Sequence, residues 1–215
     1  PDIALALDQD KIDGYVLDEP VARLMLAEHT DQYIAEYLQD ASYGFIFQKD
    51  SGESAALRAQ VDEFLAKIRA DGTLAEIDSI WFGSDESLKT VDYESLTGEN
   101  GTLKLAVSTD IGAPFVYRQG EGFIGYETDI LTRFCREYGY ALKIYDFNFA
   151  GMLAAVSAGK CDLGASCIEI NAERAESMDF SAPDYAGGVV LVTKRDSDAE
   201  QIAVIAEEMA GKKVG

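Results

Sequence analysis

The feature that most constrains the fold is a rhythm met twice along the chain: short apolar runs with the composition of buried strands, separated by stretches whose apolar residues recur at helical spacing. In residues 1–83, Ile3 to Gln9 reads as helix, Gly14 to Leu17 as strand, Val21 to Leu38 as helix and Tyr43 to Phe47 as a further apolar strand. Leu57, Val61, Phe64, Leu65 and Ile68 then mark one face of a helix that Asp71 and Gly72 stop. A turn through Leu74, Ile77 and Ile80 ends at Trp81 to Gly83. Short strands alternating with helices predict an α/β fold with parallel pairing. The second run has strands at Leu103 to Val107, Leu142 to Tyr145, Asp162 to Ala165 and Val189 to Thr193. Phe115 to Tyr126 reads as a hairpin, and Asp129 to Tyr138 and Gly151 to Ala158 as helices. A helix from Ala199 to Ala210 and a strand starting at Gly211 complete it. Residues 84–101 are polar, acidic and without a sustained period, and read as a linker.

With 215 residues and 47% hydrophobic content the chain can bury a sizeable core, as one large domain or as two lobes. Its 39 acidic and 18 basic residues leave a formal charge of -21, which repels phosphate backbones and anionic lipid, so no nucleic-acid partner is expected. Apolar runs such as Gly187 to Thr193 fall well short of the roughly 18 to 20 residues that span a bilayer. The start at Pro1, with neither Met nor a signal peptide, suggests a fragment or processed product. Cys135, Cys161, Cys167 and His29 have no zinc-site spacing, so neither metal nor cofactor is expected. The thiols read as buried or idle, with a Cys161–Cys167 bridge left open. His29, beside Glu28 and Thr30 on a predicted helix, reads as solvated. No nucleophile has an evident base, and among 39 acids the proximity of two carries no information, so catalysis is not expected.

Gly120, Gly122 and Gly125 satisfy the dinucleotide-binding pattern, but a true fingerprint follows a strand and opens a helix. Here they fall in the predicted hairpin, where glycine supplies turn conformations. More informative is the run from Asp162 to Arg174, followed by Met178 to Tyr185. A strand there delivers polar groups to a short helix capped by Asn171, with Arg174 in its first turn. A guanidinium so placed can grip a carboxylate bidentately, reinforced by helix N-terminal amides. The alternative, a surface Arg174 paired with Glu173 or Glu176, stands beside it.

Four ordered motifs, Gly125 to Ile130, Asp146 to Leu153, Gly159 to Asp162 and Glu173 to Ser181, resemble lobe one of the polar amino-acid periplasmic binding proteins of ABC importers. Lys11 to Pro20, Tyr43 to Lys49, Leu57 with Arg58, Asp71 to Ile77 and Trp81 to Gly83 look like the second half of lobe two. The order is inverted with respect to that family, as in a permuted chain or a piece of a tandem array. The resemblance implies two doubly wound α/β lobes joined by a two-strand hinge, the type II periplasmic binding protein fold, with the second lobe incomplete in this chain. Residues 1–83 would be the C-terminal half of lobe two, 84–101 a linker, 102–193 lobe one, and 194–215 the crossover to lobe two and the start of its first strand. About two dozen residues, a strand and crossover helix, would be lacking. The interlobe crossings are expected near Tyr43 to Lys49 and Val189 to Lys194.

Carried over by resemblance, Arg174 binds a ligand α-carboxylate and Asp18 its α-ammonium, while Asp110, Phe115 and Phe149 line the pocket. For the two aromatics, a place in the core explains the sequence nearly as well. This sequence departs from the family at Cys167, Glu169 and Asn171. A carboxylate at Glu169 repels the ligand carboxylate unless neutralised, or attracts a second cationic group. The implied function is extracytoplasmic capture of an amino-acid-like ligand for an ABC permease by lobe closure, by a monomer or a domain-swapped dimer. The competing readings are a cyclohexadienyl dehydratase-like enzyme on the same scaffold and a vestigial sensor or structural module.

Overall fold

The computed structural model describes residues 2–110 and 112–195. The predicted helix Ala199 to Ala210 and the strand start at Gly211 lie outside the described residues. The described residues form two compact units: unit 1 comprises residues 2–41 and 186–195, and unit 2 lies within residues 42–185.

In unit 2 the sheet is built from β4 (Thr102–Val107), β7 (Ala141–Asp146), β8 (Leu163–Ala165), β3 (Ile46–Gln48) and β9 (Met178–Phe180), in the order β7-β4-β8-β3-β9. β4 pairs parallel with β7 and β8, whereas β3 enters antiparallel to both β8 and β9. Alternation of side chains across a strand sends Ile46 to one face and Phe47 to the other. Both are fully buried, because helices cover both faces. On the Ile46 side, α6 (Phe149–Ser157) supplies Met152, Ala155 and Val156 to a cluster with Ala106, Cys161, Ile168 and Met178. On the other, α3 (Gly52–Ala70) packs on β3 and α5 (Tyr126–Tyr138) on β7, and the two helices meet through the edge-to-face pair Phe64–Phe134 at 5.6 Å. Helix α3 forms as its sequence predicts: Ser51 caps it by accepting the Ser54 N–H, and Lys67 and Arg69 sit in its negative last turn. Its stripe Val61, Phe64, Leu65 and Ile68 is buried, each side chain contributing about 1.5–3 kcal/mol. Gly72, at φ 88°, ends it and opens α4 (Thr73–Trp81).

The expected linker is tied to unit 2. It contains a 3-10 turn, Glu86–Leu88, and Tyr93 Oη accepts the Phe123 N–H at 3.2 Å, while Arg136 donates to the Asp92 carbonyl at 3.1 Å. The glycine pattern lies in a hairpin of β5 (Tyr117–Gln119) and β6 (Gly122–Ile124), turned at Gly120 with φ 61°. Gly125, at φ 139°, precedes α5, and a Cβ there would overlap the Phe115 carbonyl.

Unit 1 holds a three-stranded sheet in the order β1-β10-β2, with β1 (Tyr15–Asp18), β10 (Tyr185–Lys194) and β2 (Gln32–Tyr43). Its core joins Ala4 and Leu7 of α1 (Asp2–Asp8), Tyr15, Ala22 of α2 (Glu19–Glu28), Val190 and Val192. Three expectations change here. The predicted helix Val21 to Leu38 stops at Glu28 and continues as β2, because β2 finds a ladder partner in β10 that helical spacing cannot reveal. The strands of residues 1–83 pair antiparallel, β1 with β10 and β3 with β8 and β9, because their partners come from distant parts of the chain. Residues 1–83 also do not form one unit: β3, α3 and α4 build unit 2. The chain passes between units at Ala41/Ser42 within β2 and at Tyr185/Ala186 within β10, a few residues from the expected crossings.

His29 is not simply solvated, since its Nδ1 lies 2.7 Å from Asp8 Oδ2. Buried Gln32 organises this corner. It accepts from the Tyr15 hydroxyl at 2.7 Å and donates to the Ala4 carbonyl at 2.9 Å and to Asp8 Oδ1 at 2.6 Å.

Candidate functional site

The parallel strands β4, β7 and β8 end together, and ligands of open α/β sheets bind beyond strand carboxyl ends. The residues that follow those ends therefore define the candidate site of unit 2. After β4 come Ser108, Thr109 and exposed Asp110; after β7 comes Asn148, whose side chain caps α6 by accepting the Gly151 N–H at 2.8 Å; after β8 comes the segment 166–174. That cap places Phe149 at the first turn of α6, half-buried at the carboxyl edge.

Arg174 belongs to α7 (Ala172–Ala175), whose N-cap Asn171 accepts the Arg174 N–H at 2.9 Å. The predicted cap is present, but the helix has four residues and Asn171 occupies this amide, so amide reinforcement of a ligand carboxylate is weaker than the sequence suggested. The Arg174 guanidinium donates to the Glu169 carbonyl at 3.0 Å, lies 3.8 Å from Glu169 Oε2, and sits 5.7 Å from the Phe149 ring centroid. Asn171 Nδ2 also donates to Glu169 Oε2, at 3.3 Å. Arg174 thus forms an ion pair with Glu169 rather than the expected one with Glu173 or Glu176. Its guanidinium face neutralises the Glu169 carboxylate, yet the side chain keeps 31% exposure, so it remains open to an incoming anion.

The structure thus brings Arg174, Glu169 and Phe149 together and sets Cys167 on the same segment. Cys167 is a non-glycine residue at φ 50°, and its N–H donates to both carboxyl oxygens of buried Glu127 at 3.1 Å each. Phe115 takes the core alternative: it is 1% exposed and packs against Tyr43, Phe82, Tyr126 and Tyr185 with centroids 5.4 to 6.2 Å apart. Asp18 stands in unit 1, exposed, at the end of β1 and the N-cap position of α2.

Sequence reasoning missed two networks at this edge. Asp146, the last residue of β7, accepts from Thr109 Oγ1 at 3.1 Å and from Arg118 Nη2 at 2.9 Å. Arg118 also lies over the Phe123 ring at 4.6 Å, which adds a second cation to the hairpin side of the edge. Below the edge, Glu127 and Asp184 are both buried carboxyls. Burial pushes the Asp184 carboxyl up to about 7. Burial first, and then the charge of Asp184, lifts Glu127 well above the usual carboxylate range against the opposing Cys167 N–H. A signal for Glu127 was present: an acid inside the apolar stripe Tyr126, Ile130, Leu131 and Phe134 of α5.

All three cysteines are thiols; burial pushes Cys135 up to about 12, beyond use as a nucleophile at neutral pH. Among the described residues no group of three or more His, Cys, Asp or Glu is arranged to hold a metal ion, and no helix is long and apolar enough to cross a membrane. A cavity of about 490 Å³ lies at the other end of the sheet, around the amino ends of β4 and β8, with Ser51, Gln60, Asn100, Thr102 and Asp162 in its wall. The carboxyl edge is the stronger candidate, because the charged and aromatic groups converge there.

Residues 103–208 match the family described as bacterial extracellular solute-binding proteins, family 3. The chain is 27% identical over 118 residues to the arginine-binding extracellular protein ArtP of Bacillus subtilis, which covers 54% of this chain and 45% of that protein. It is 30% identical over 117 residues to a probable histidine-binding protein of Campylobacter jejuni, covering 54% and 44%. The chain thus spans less than half the length of these relatives. Among solved structures it resembles the phosphate-binding protein of a phosphate ABC transporter from Streptococcus pneumoniae TIGR4, with a TM-score of 0.52 and 14% identity, over 99% of this chain and 79% of that one. That likeness is one of fold, and the fold is that of the type II periplasmic binding proteins.

Proposed function

We propose, on the premise that residues 103–208 belong to family 3 of the bacterial extracellular solute-binding proteins, that this chain captures an amino acid or a related small zwitterion outside the cytoplasm and hands it unchanged to an ABC permease. One observation carries the reading: a half-buried guanidinium, Arg174, is held at the carboxyl edge of a parallel sheet by the Glu169 carbonyl and beside the Phe149 ring. A carboxylate approaching it gains a charge-assisted, bidentate pair. The Phe149 face offers an apolar wall to the ligand's side chain, and Glu169 an anion for a ligand amine or second cation. The arginine- and histidine-binding relatives support amino acids as the ligand class. Asp18, Asp110 and Cys167 belong to the proposal through the family resemblance, Asp18 as partner of the ligand ammonium. Closure of two lobes on the ligand belongs to it as well.

A thermal-melt screen over the amino acids tests capture. A ligand at about 100 times its Kd should stabilise the chain by roughly 2.7 kcal/mol, a rise of several degrees. No shift with any amino acid would leave the vestigial reading, and product formation from prephenate would replace capture by catalysis. Asp18→Asn should weaken amine-bearing ligands selectively; an equal loss for ligands without an amine would take Asp18 out of the site. Small-angle scattering with and without the best ligand reads closure as a fall in the radius of gyration.

A further inference from the structure

The buried carboxyls beneath the site have no role in the capture chemistry, and their geometry points to one. Glu127 is 0% exposed, and both its oxygens accept the Cys167 N–H. Cys167 holds a left-handed backbone conformation that an L residue with a Cβ seldom keeps unless its surroundings impose it. From Cys167 the chain runs through fully buried Ile168 to Glu169, which bridges to Tyr43 and receives the Arg174 guanidinium on its carbonyl. The grip of Glu127 on one peptide thus sets the position of the segment that presents Glu169 and Arg174.

Asp184 is buried near enough for its charge to act on Glu127. Its N–H donates to the Tyr43 carbonyl at 3.0 Å, and its carbonyl accepts from the hydroxyl of Tyr126, the neighbour of Glu127 on α5, at 2.9 Å. Its carboxyl oxygens are buried and make no hydrogen bond of good geometry among the described residues, although the nearby N–H groups of Asp184 and Tyr185 partly offset the effect of burial. A buried carboxylate with only poorly aligned donors is a poor anion, and a second buried carboxyl nearby makes it poorer.

We propose that Glu127 is a positioning residue for the candidate site, and that its hold on the Cys167 peptide is proton-linked through the buried carboxyl of Asp184. This rests on the reading of the carboxyl edge as the ligand site. The groups that face the pair are few. α3 contributes Arg69, which donates to the Pro183 carbonyl and draws Asp184 downward. α4 contributes Asp78, which acts on Tyr126; α5 contributes Tyr126 itself, and β10 contributes Tyr185. The site segment contributes the Cys167 peptide and thiol. Among the described residues Arg69 is the cation that acts on Asp184, and it faces two carboxyls, so the pair retains a proton near neutrality and behaves as a unit rather than as two separate acids. Loss of that proton places two anions in one dry compartment, and the Cys167 peptide responds.

The sign for stability follows. Carboxyls held higher in the folded chain than in the unfolded one stabilise fully below about pH 4, and that contribution is lost as pH rises through the folded value near 7. Asp184→Asn, which keeps the shape and removes the charge, should therefore raise the melting temperature at pH 8 by at least roughly 3 °C and by less at pH 5.

The direct test is the backbone amide of Cys167 in the full chain, followed by ¹⁵N-resolved NMR without ligand between pH 5 and 9. In the wild type its proton shift should titrate with a midpoint near neutrality. Asp184→Asn should lower that midpoint by at least about one pH unit, since the charge that lifts Glu127 is gone. Glu127→Gln should abolish the titration and speed exchange of the Cys167 amide at least about tenfold, while α3 amides such as that of Phe64 keep their protection. A wild-type amide that does not titrate, a midpoint that Asp184→Asn leaves in place, or unchanged exchange in Glu127→Gln would each overturn the proposal. None of these readouts requires a ligand, so failure of the amino-acid screen leaves them interpretable, and their failure leaves the capture reading standing.

Discussion

Arg174→Ala is expected to weaken binding of every amino acid that the intact chain binds by roughly thirty-fold to several thousand-fold, while the unliganded protein melts within a few degrees of the original. The first half of this follows from the cost of truncating one member of a desolvated charge pair, about 2–5 kcal/mol, at tenfold per 1.4 kcal/mol. The ligand's carboxylate would otherwise stay buried against the Phe149 ring with Arg118, committed to Asp146, as the other cation described at this edge. The second half follows from what Arg174 does in the empty site. It bonds the Glu169 carbonyl and neutralises a carboxylate that is itself 37% exposed, a pairing of the surface type worth about 0–1 kcal/mol. Calorimetric titration with the best ligand of the screen measures the first, and a melt of the unliganded variant the second. Retained affinity would take Arg174 out of the site; a collapse in melting temperature would recast it as a structural residue.

Phe115→Ala should lower stability by about 3–5 kcal/mol in denaturant unfolding, with ligand affinity unchanged where the variant remains folded. The ring is 1% exposed and central to an aromatic cluster, meeting Tyr126 and Tyr185 edge-to-face at 5.8 and 5.4 Å and lying between Tyr43 and Phe82. Its removal leaves a cavity among side chains that cannot close on it, because the Glu127 N–H ties down the Phe115 carbonyl and Tyr126 is fixed by its hydrogen bond to Asp184. The pair of substitutions separates the two roles that the sequence allowed for aromatic residues near the site. A Phe115→Ala variant that loses binding but less than about 1 kcal/mol of stability would return this residue to the pocket wall.

Much of unit 2 was legible in order of appearance. The stripe of α3, the stop at Gly72, the hairpin around Gly120 and the Asn171 cap all express local rules, in which a residue's effect is confined to its own turn. The candidate site was legible by residue type: Arg174, Glu169 and Phe149 were singled out from the sequence and lie together. For Arg174 the sequence allows a ligand role or pairing with Glu173 or Glu176; its partner Glu169 precedes the four-residue helix, so helical spacing cannot select it. Residues 32–38 form a strand where the sequence reads as helix, because amphipathic spacing over so short a run fits a helix as well as a half-buried strand, and the β10 ladder decides between them.

What the amino-acid order determined on its own was the α/β character of the chain, most of its helices and turns, and the likeness of its second half to a known family. Each of these is settled within a few residues of chain or by a motif read in order. The tertiary structure alone decided which strands pair, that residues 42–83 build the unit containing the site, that Phe115 fills a core, and that Glu127 and Asp184 share a dry compartment. These depend on contacts between segments from about 40 residues apart, as for β4 and β7, to more than 170 apart, as for β1 and β10. Burial, which turns an ordinary carboxyl into one that keeps its proton near neutrality, exists only once such segments have met.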